Sequence, residues 1–268
     1  MRIFLSGLRK LVRRPASWVT GGLLMGLLAL IIIAVGSTAH RTGSRPEQVA
    51  ALALITFPTA YDGVLAFILG LGGLFAVIYG AAVAGSEWTW GTLKAAVARG
   101  ESRSRYVLAS FASITVMIAL GLLLTFGVGV LAAFIAANIA GVSTSGVGDP
   151  ATLERLPRQF ALGWLAIVEE GALGYAIATL ARSQLAGIGA GIALYFGESF
   201  ARLFLPDIVK YLPFDVATAS IGARTAFGGG GGFFTPLPAD PALGLVFVWM
   251  IGALLVTAIF TERAEITG

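Results

Sequence analysis

The sequence predicts an all-α integral membrane protein. It should have six transmembrane helices, an N-terminal amphipathic interfacial helix and a short cytoplasmic helix between the second and third spans. Three observations carry this expectation. Of 268 residues, 57% are hydrophobic and only 12% are charged, against about 25% charged in soluble domains. Six segments of spanning length have little or no interior charge. The basic residues crowd into particular inter-span segments rather than spreading evenly. A water-soluble fold of this length could not hide so much apolar surface, because the buried fraction rises only slowly with size.

The chain opens with residues 2–14. At 100° per residue, Phe4, Leu5, Leu8, Leu11 and Val12 fall within about 120° of arc, opposite Arg2, Ser6, Arg9, Lys10, Arg13 and Arg14. This pattern fits a helix lying on the inner leaflet, with Arg9, Lys10, Arg13 and Arg14 toward lipid phosphates. Pro15 separates it from the first span, 18–35. A basic start before an apolar run also resembles a signal peptide, and Ser37-Thr38-Ala39 resembles a cleavage site. The apolar run exceeds the roughly 7–15 residues of a signal core, so it reads as an uncleaved span.

The remaining spans are 64–84, 106–137, 160–181, 185–204 and 243–260, and all belong to one transmembrane domain, 1–268. The third is too long for a hydrocarbon layer of about 30 Å, so it must tilt, project or break near Gly127 and Gly129. With the N-terminus in the cytoplasm, eleven of the eighteen Lys and Arg fall on the inner side: Arg2, Arg9, Lys10, Arg13, Arg14, Lys94, Arg99, Arg103, Arg105, Arg182 and Arg263. Both termini are therefore expected on the cytoplasmic side of a cell membrane.

Three outer segments follow. The first, 36–63, holds His40, Arg41, Arg45, Pro46 and Pro58. The second, 138–159, is rich in turn residues over 143–150. The third, 205–241, mixes Pro206 and Pro213 with an apolar start and ends in five glycines, 228–232, before Phe233-Phe234. Breakers among aromatics suggest short helices dipping into the interface. The glycine run reads as a hinge, since no Lys-Ser/Thr follows it. Gly22 and Gly26, and Gly187 and Gly191, have the four-residue spacing that lets helices pack closely, and packing within the chain is the simpler reading.

The inner segment after the second span is the most ordered. Ser86 can cap a helix whose first turn holds Glu87, with Lys94 and Arg99 in later turns and Gly100 as its stop, giving a surface helix over 86–100. Ser102 can then restart a helix that runs into the third span.

Several chemistries are excluded. There is no cysteine and a single histidine, so no thiolate site or two-imidazole metal site can form, and no metal ligand set is expected. No Gly-x-x-x-x-Gly-Lys-Ser/Thr stretch occurs, so the chain has no phosphate loop. Glu169 and Glu170 sit mid-span, where a carboxylate costs at least about 2.5 kcal/mol. They either line a substrate pathway for a cationic or amphipathic cargo, or bond to neighbours such as Trp164 or Thr125. Glu198 has a local partner in Arg202 at i,i+4. A metalloprotease built on Glu-Glu fails, since the Arg expected four residues on is Gly174 and the imidazole ligands are missing.

The segment Glu87, Gly91, Thr92, Leu93, Lys94, then Gly100, Ser102, Arg103 and Tyr106, resembles the first cytoplasmic loop of ABC-2 type permeases. These are the membrane subunits of one class of ATP-binding-cassette transporters. The resemblance extends to the basic N-terminal helix, the six spans, the very short inner turn after the fourth and the long outer segment before the sixth. The outer segment between the first two spans has no signature that matches.

The resemblance implies a coupling helix that docks on a cytoplasmic ATPase through Glu87, Trp88, Trp90, Gly91, Thr92, Leu93, Lys94, Arg99 and Arg103. A second contact falls at Arg182, Ser183 and Gln184. It implies two ATPase copies carrying ATP and Mg²⁺, a second permease subunit (identical or homologous), membrane lipids around the complex, no nucleic acid, and export from a bacterial cell. The chain itself would be no enzyme and bind no cofactor. An ion-coupled transporter using Glu169 and Glu170, and a membrane scaffold or sensor, are the competing functions.

Overall fold

A computed structural model describes residues 2–38, 49, 51–222 and 235–264. Every regular element among the described residues is helical. His40, Arg41, Arg45, Pro46 and Arg224, together with the glycine run 228–232 and the following phenylalanines, lie outside the described residues. The elements are α1 (Arg2–Arg13), α2 (Pro15–Thr38), α3 (Thr59–Thr89), α4 (Thr92–Ala98) and α5 (Arg103–Ile139). After a 3₁₀ turn (Ser145–Gly148) come α6 (Pro150–Ala181), α7 (Gln184–Ala201), α8 (Pro206–Val209), α9 (Pro213–Ser220) and α10 (Ala239–Arg263).

Five helices, α2, α3, α5, α6 and α10, are long and apolar enough to cross a membrane. This makes the chain a multi-pass membrane protein. The expected span 185–204 is an 18-residue helix, about 27 Å long at 1.5 Å per residue. Gln184, Glu198 and four glycines dilute its apolar character. The third expected span does not break. α5 runs 37 residues without interruption, about 55 Å, which leaves tilting or projecting as the ways to fit a hydrocarbon layer of about 30 Å. Gly129 is a packing site: a Cβ there would lie 2.6 Å from Val64 Cγ1 and 2.7 Å from Leu28 Cδ2.

Helix ends follow local chemistry. Asp149 caps α6, its Oδ2 accepting from the Thr152 amide at 2.9 Å and hydroxyl at 2.6 Å. Those bonds, the hydroxyl's first, hold the Asp149 carboxyl below the usual carboxylate range. Pro150 suits the first helical position. Arg182 ends α6 in the left-handed region at φ 50°, and Ser183 caps α7 through the Ala186 amide at 3.3 Å. α3 does not stop where expected. Ser86, read as a cap, lies inside it, its hydroxyl donating to the Val83 carbonyl at 2.7 Å. The break falls instead at Gly91, whose φ of 65° suits glycine, so the surface helix of 86–100 shrinks to Thr92–Ala98.

α3 and α6 form the centre of the bundle. Of the spanning stretch, 72% is buried in α3 and 67% in α6, against 17% in α2 and α10, which therefore stand on the outside. Glycines permit the central approach. A side chain at Gly80 would strike the Gly171 carbonyl, and one at Gly174 would strike that of Val77. α7 joins through Gly187 on Ala178 and Gly191 on Val77. That pair packs within the chain, as expected. Gly22 and Gly26 do not: a Cβ at either meets nothing within 4 Å.

This contrast makes a prediction. Gly80→Leu or Gly174→Leu should abolish recovery of a monodisperse protein from detergent, because the helix backbones must separate. Gly22→Leu should elute as the parent does on size exclusion.

Candidate functional site

The residues singled out in the sequence gather at the end of the bundle that carries the N-terminus. The last turn of α3 brings Glu87 to the junction of α1, α4 and α5, where it is only 5% exposed. Gly91 reverses the chain after Trp90, so that Thr92 folds back and its hydroxyl donates to Glu87 Oε2. The Tyr106 hydroxyl, from the first turn of α5, donates to the same oxygen. Lys10 Nζ donates to Oε1 at 2.5 Å. Arg14 Nη2 lies 3.8 Å from Oε1, while its Nη1 donates to the Ser86 hydroxyl at 2.8 Å. One carboxylate thus holds four segments.

This overturns part of the expectation for the basic N-terminal face. Lys10 and Arg14, four residues apart, share one side of the helical register and turn inward to Glu87. Only Arg9 and Arg13 remain exposed among the four. The reason is electrostatic: a buried carboxylate needs counter-charge and donors, or it costs several kcal/mol. A cavity of about 260 Å³ adjoins the carboxylate, lined among others by Ser6, Lys10, Thr92, Arg99, Tyr106 and Ser110.

α4 is anchored by its apolar side. Leu93 and Ala96 are buried, whereas Lys94, Ala95, Ala98 and Arg99 are exposed. Trp90 is 62% exposed, with the Arg14 guanidinium 5.0 Å from its ring centre. The second predicted contact lies against the same platform. Arg182 packs 5.3 Å over Trp88 and 5.2 Å over Phe260 of α10, and those rings meet edge-on at 6.3 Å. Gly85 abuts the Gln184 backbone so closely that no side chain fits. Arg103 caps the end of α10, Nη1 donating to the carbonyls of Thr261, Glu262 and Ala264 at 3.2, 2.9 and 2.7 Å.

The predicted set therefore divides. Glu87, Thr92, Leu93 and Arg103 face inward and hold the platform. Gly91 makes its turn, and Ser183 and Gln184 shape the second one. Trp90, Lys94, Arg99 and Arg182 present outward. Sequence reasoning missed Phe260 and Glu262, whose Oε1 accepts from the Ser104 amide and hydroxyl at 3.0 and 2.6 Å. It noted Tyr106 only as part of a pattern. The signal that could have found the network was Lys10 and Arg14 at i,i+4, with one acid available nearby.

Residues 48–260 match the model of a protein family of unknown function, DUF2705. The chain belongs to the DUF2705 family. No curated protein matches the sequence. The DUF2705 region holds Glu87, Thr92, Tyr106, Arg103 and Arg182, whereas Lys10 and Arg14 precede it.

The DUF2705 region also holds the interior acids. Glu169 is fully buried, and neither of its oxygens has a hydrogen-bond partner among the described residues. The expected bond to Trp164 does not form, since Trp164 Nε1 donates to the Thr115 carbonyl at 3.0 Å. Glu170 lies against Gly73, where its carboxylate fills the space a side chain would need. Glu198 belongs to a wider group than the local pair expected. Its Oε1 accepts from the Asp215 amide at 2.7 Å, and Arg202 pairs with the Asp215 carboxylate, Nε to Oδ2 at 3.2 Å.

The hub is testable. Tyr106→Phe removes a donor to a buried carboxylate and should lower stability by about 1.5–3 kcal/mol. In a double-mutant cycle with Lys10→Met the losses should be non-additive, because both residues act on Glu87. Thermal unfolding in detergent reads both.

Proposed function

We propose that the chain is the permease subunit of an ABC-2 type ATP-driven transporter, embedded in a bacterial cell membrane with both termini in the cytoplasm. In this reading α7 is the fifth of six spans, α1 an interfacial helix and α4 the coupling helix. The single observation that carries it is the Glu87 hub. A helix that transmits force from a cytoplasmic motor must be fixed to the spans at its root and open on its far side. α4 meets both requirements: Thr92 and Leu93 are held, while Trp90, Lys94 and Arg99 face out. Arg182 offers a second outward contact joined to the same platform through Trp88 and Phe260.

The motor is a separate ATPase subunit in two copies, which binds ATP and Mg²⁺. This chain binds no cofactor and catalyses nothing by itself. Two permease subunits, identical or homologous, pair around a route for substrate. Closure of the motors reaches the spans through α4 and the α6–α7 turn, and alternating access exports the cargo. A second reading, ion-coupled transport, draws on one specific observation: Glu169 is buried with both oxygens unpartnered among the described residues, a costly arrangement that suits a transported cation or proton.

Co-expression with the neighbouring ATPase should yield a complex that survives purification. Arg99→Glu combined with Trp90→Ala should lower substrate-stimulated ATP turnover at least several-fold while the permease remains folded. No co-purification with that ATPase, or unchanged turnover in the double variant, rejects this docking face. If Glu169→Gln abolishes uptake driven by an ion gradient in vesicles without ATPase, the second reading replaces the first.

A further inference from the structure

Between α2, α3 and α5 lies a second cavity of about 560 Å³, within the roughly 300–1,000 Å³ range of ligand pockets. No charged side chain lines it. Its walls are apolar, with Leu24, Met25, Ile68, Phe75, Met117 and Leu122 among them. Polar groups cluster where α1 joins α2. There Ser17 shares a hydrogen bond with the Tyr79 hydroxyl at 2.9 Å and donates to the Leu11 carbonyl at 2.8 Å. Trp18 Nε1 donates to the Val12 carbonyl at 2.7 Å. The hollow is apolar along its walls, with these polar groups gathered at the part nearest α1.

Charge at that end decides the occupant. Val12 and Ser17 both line the groove, and Arg13, exposed and next to Val12 in the chain, follows on α1, with Arg9 one turn before it. Arg14 is turned away to Glu87 and Trp90. An apolar slot whose lining runs onto a helix with two exposed guanidinium groups matches an acyl chain joined to an anionic head. We propose that this groove holds one acyl chain of an anionic phospholipid from the leaflet facing α1, with its phosphate at Arg13. The proposal rests on the inner-leaflet orientation of α1 in the permease reading, but not on any ATPase.

The groove also fixes how it can be closed. Gly121 lines it with nothing within 4 Å of its missing side chain, and Gly21 faces only Met25 Cε at 3.9 Å. Leucine at either position fills the slot from one wall without backbone collision.

The full chain is reconstituted in nanodiscs containing a trace of phosphatidylglycerol or phosphatidylcholine with a photoactivatable acyl chain. Adducts are mapped by peptide mass spectrometry. Phosphatidylglycerol should label Leu24, Phe75 and Met117 at least several-fold more than phosphatidylcholine. Gly21→Leu and Gly121→Leu, made separately so that either can serve alone, should each remove that labelling. Arg13→Gln with Arg9→Gln should reduce it to the phosphatidylcholine level. Equal labelling by both lipids, insensitivity to the leucine variants, or a groove protected by a second copy of the chain would overturn the proposal. Selective labelling in a chain that binds no ATPase would leave the lipid site standing while the permease reading fell.

Discussion

The end of this molecule that carries the N-terminus is organised by a single buried carboxylate. Glu87 sits where an unpaired charge would be intolerable, and the groups that neutralise or solvate it come from α1, the α1–α2 junction, α4 and α5. Breaking such a pair by removing one partner typically costs about 3–5 kcal/mol, because a bare charge is left behind. The consequence is structural before it is functional. α1 cannot leave the bundle without uncovering Glu87, α4 cannot swing without withdrawing Thr92, and α5 cannot shift without moving Tyr106. Four segments become one platform.

A different physics holds the middle. Between helices in lipid the hydrophobic effect gives little attraction, so contact must come from close packing. The glycines of α3 and α6 bring the two backbones together at Gly80, Gly171 and Gly174, and α7 adds Gly187 and Gly191. Closely packed glycine faces leave no room for side-chain accommodation, which makes the central pair stiff. The outer helix α2 contributes none of this at Gly22 and Gly26. It leans instead on α5, where Gly36 meets Ala136 with a Cβ only 2.8 Å from its backbone. Between these contact points α2 stands clear enough of α3 to leave the groove.

Much of this was legible in the residues. The long apolar runs predicted helices at the right places, because their length and lack of charge are decided by the solvent around them. The short turn at Arg182 was equally readable, since it follows from the short gap between two apolar runs. What could not be read was decided by contacts distant in sequence. Ser86 looks like a helix cap, yet Arg14 and the neighbouring helices keep it inside α3. Lys10 looks like a lipid anchor, yet a carboxylate 77 positions away takes it. Glu198 looked satisfied by Arg202, yet the Arg202 guanidinium pairs with Asp215, whose amide donates to Glu198, because α9 returns to cover the end of α7. Amphipathic periodicity says which face is polar. It does not say whether that face meets phosphate or protein.

The two kinds of contact also explain why the interior acids stand apart. At Glu87 the fold supplies donors from every side. At Glu169 the described residues supply none, and Glu170 fits only because Gly73 has no side chain. Both lie on α6, within a few residues of the tightest crossing in the bundle. A bundle that required these acids only for packing could have used glutamine or leucine there at lower desolvation cost. Glu170, whose carboxylate lies against Gly73, sits in the contact that holds the two central helices together, so its charge is set down inside that crossing rather than beside a polar partner.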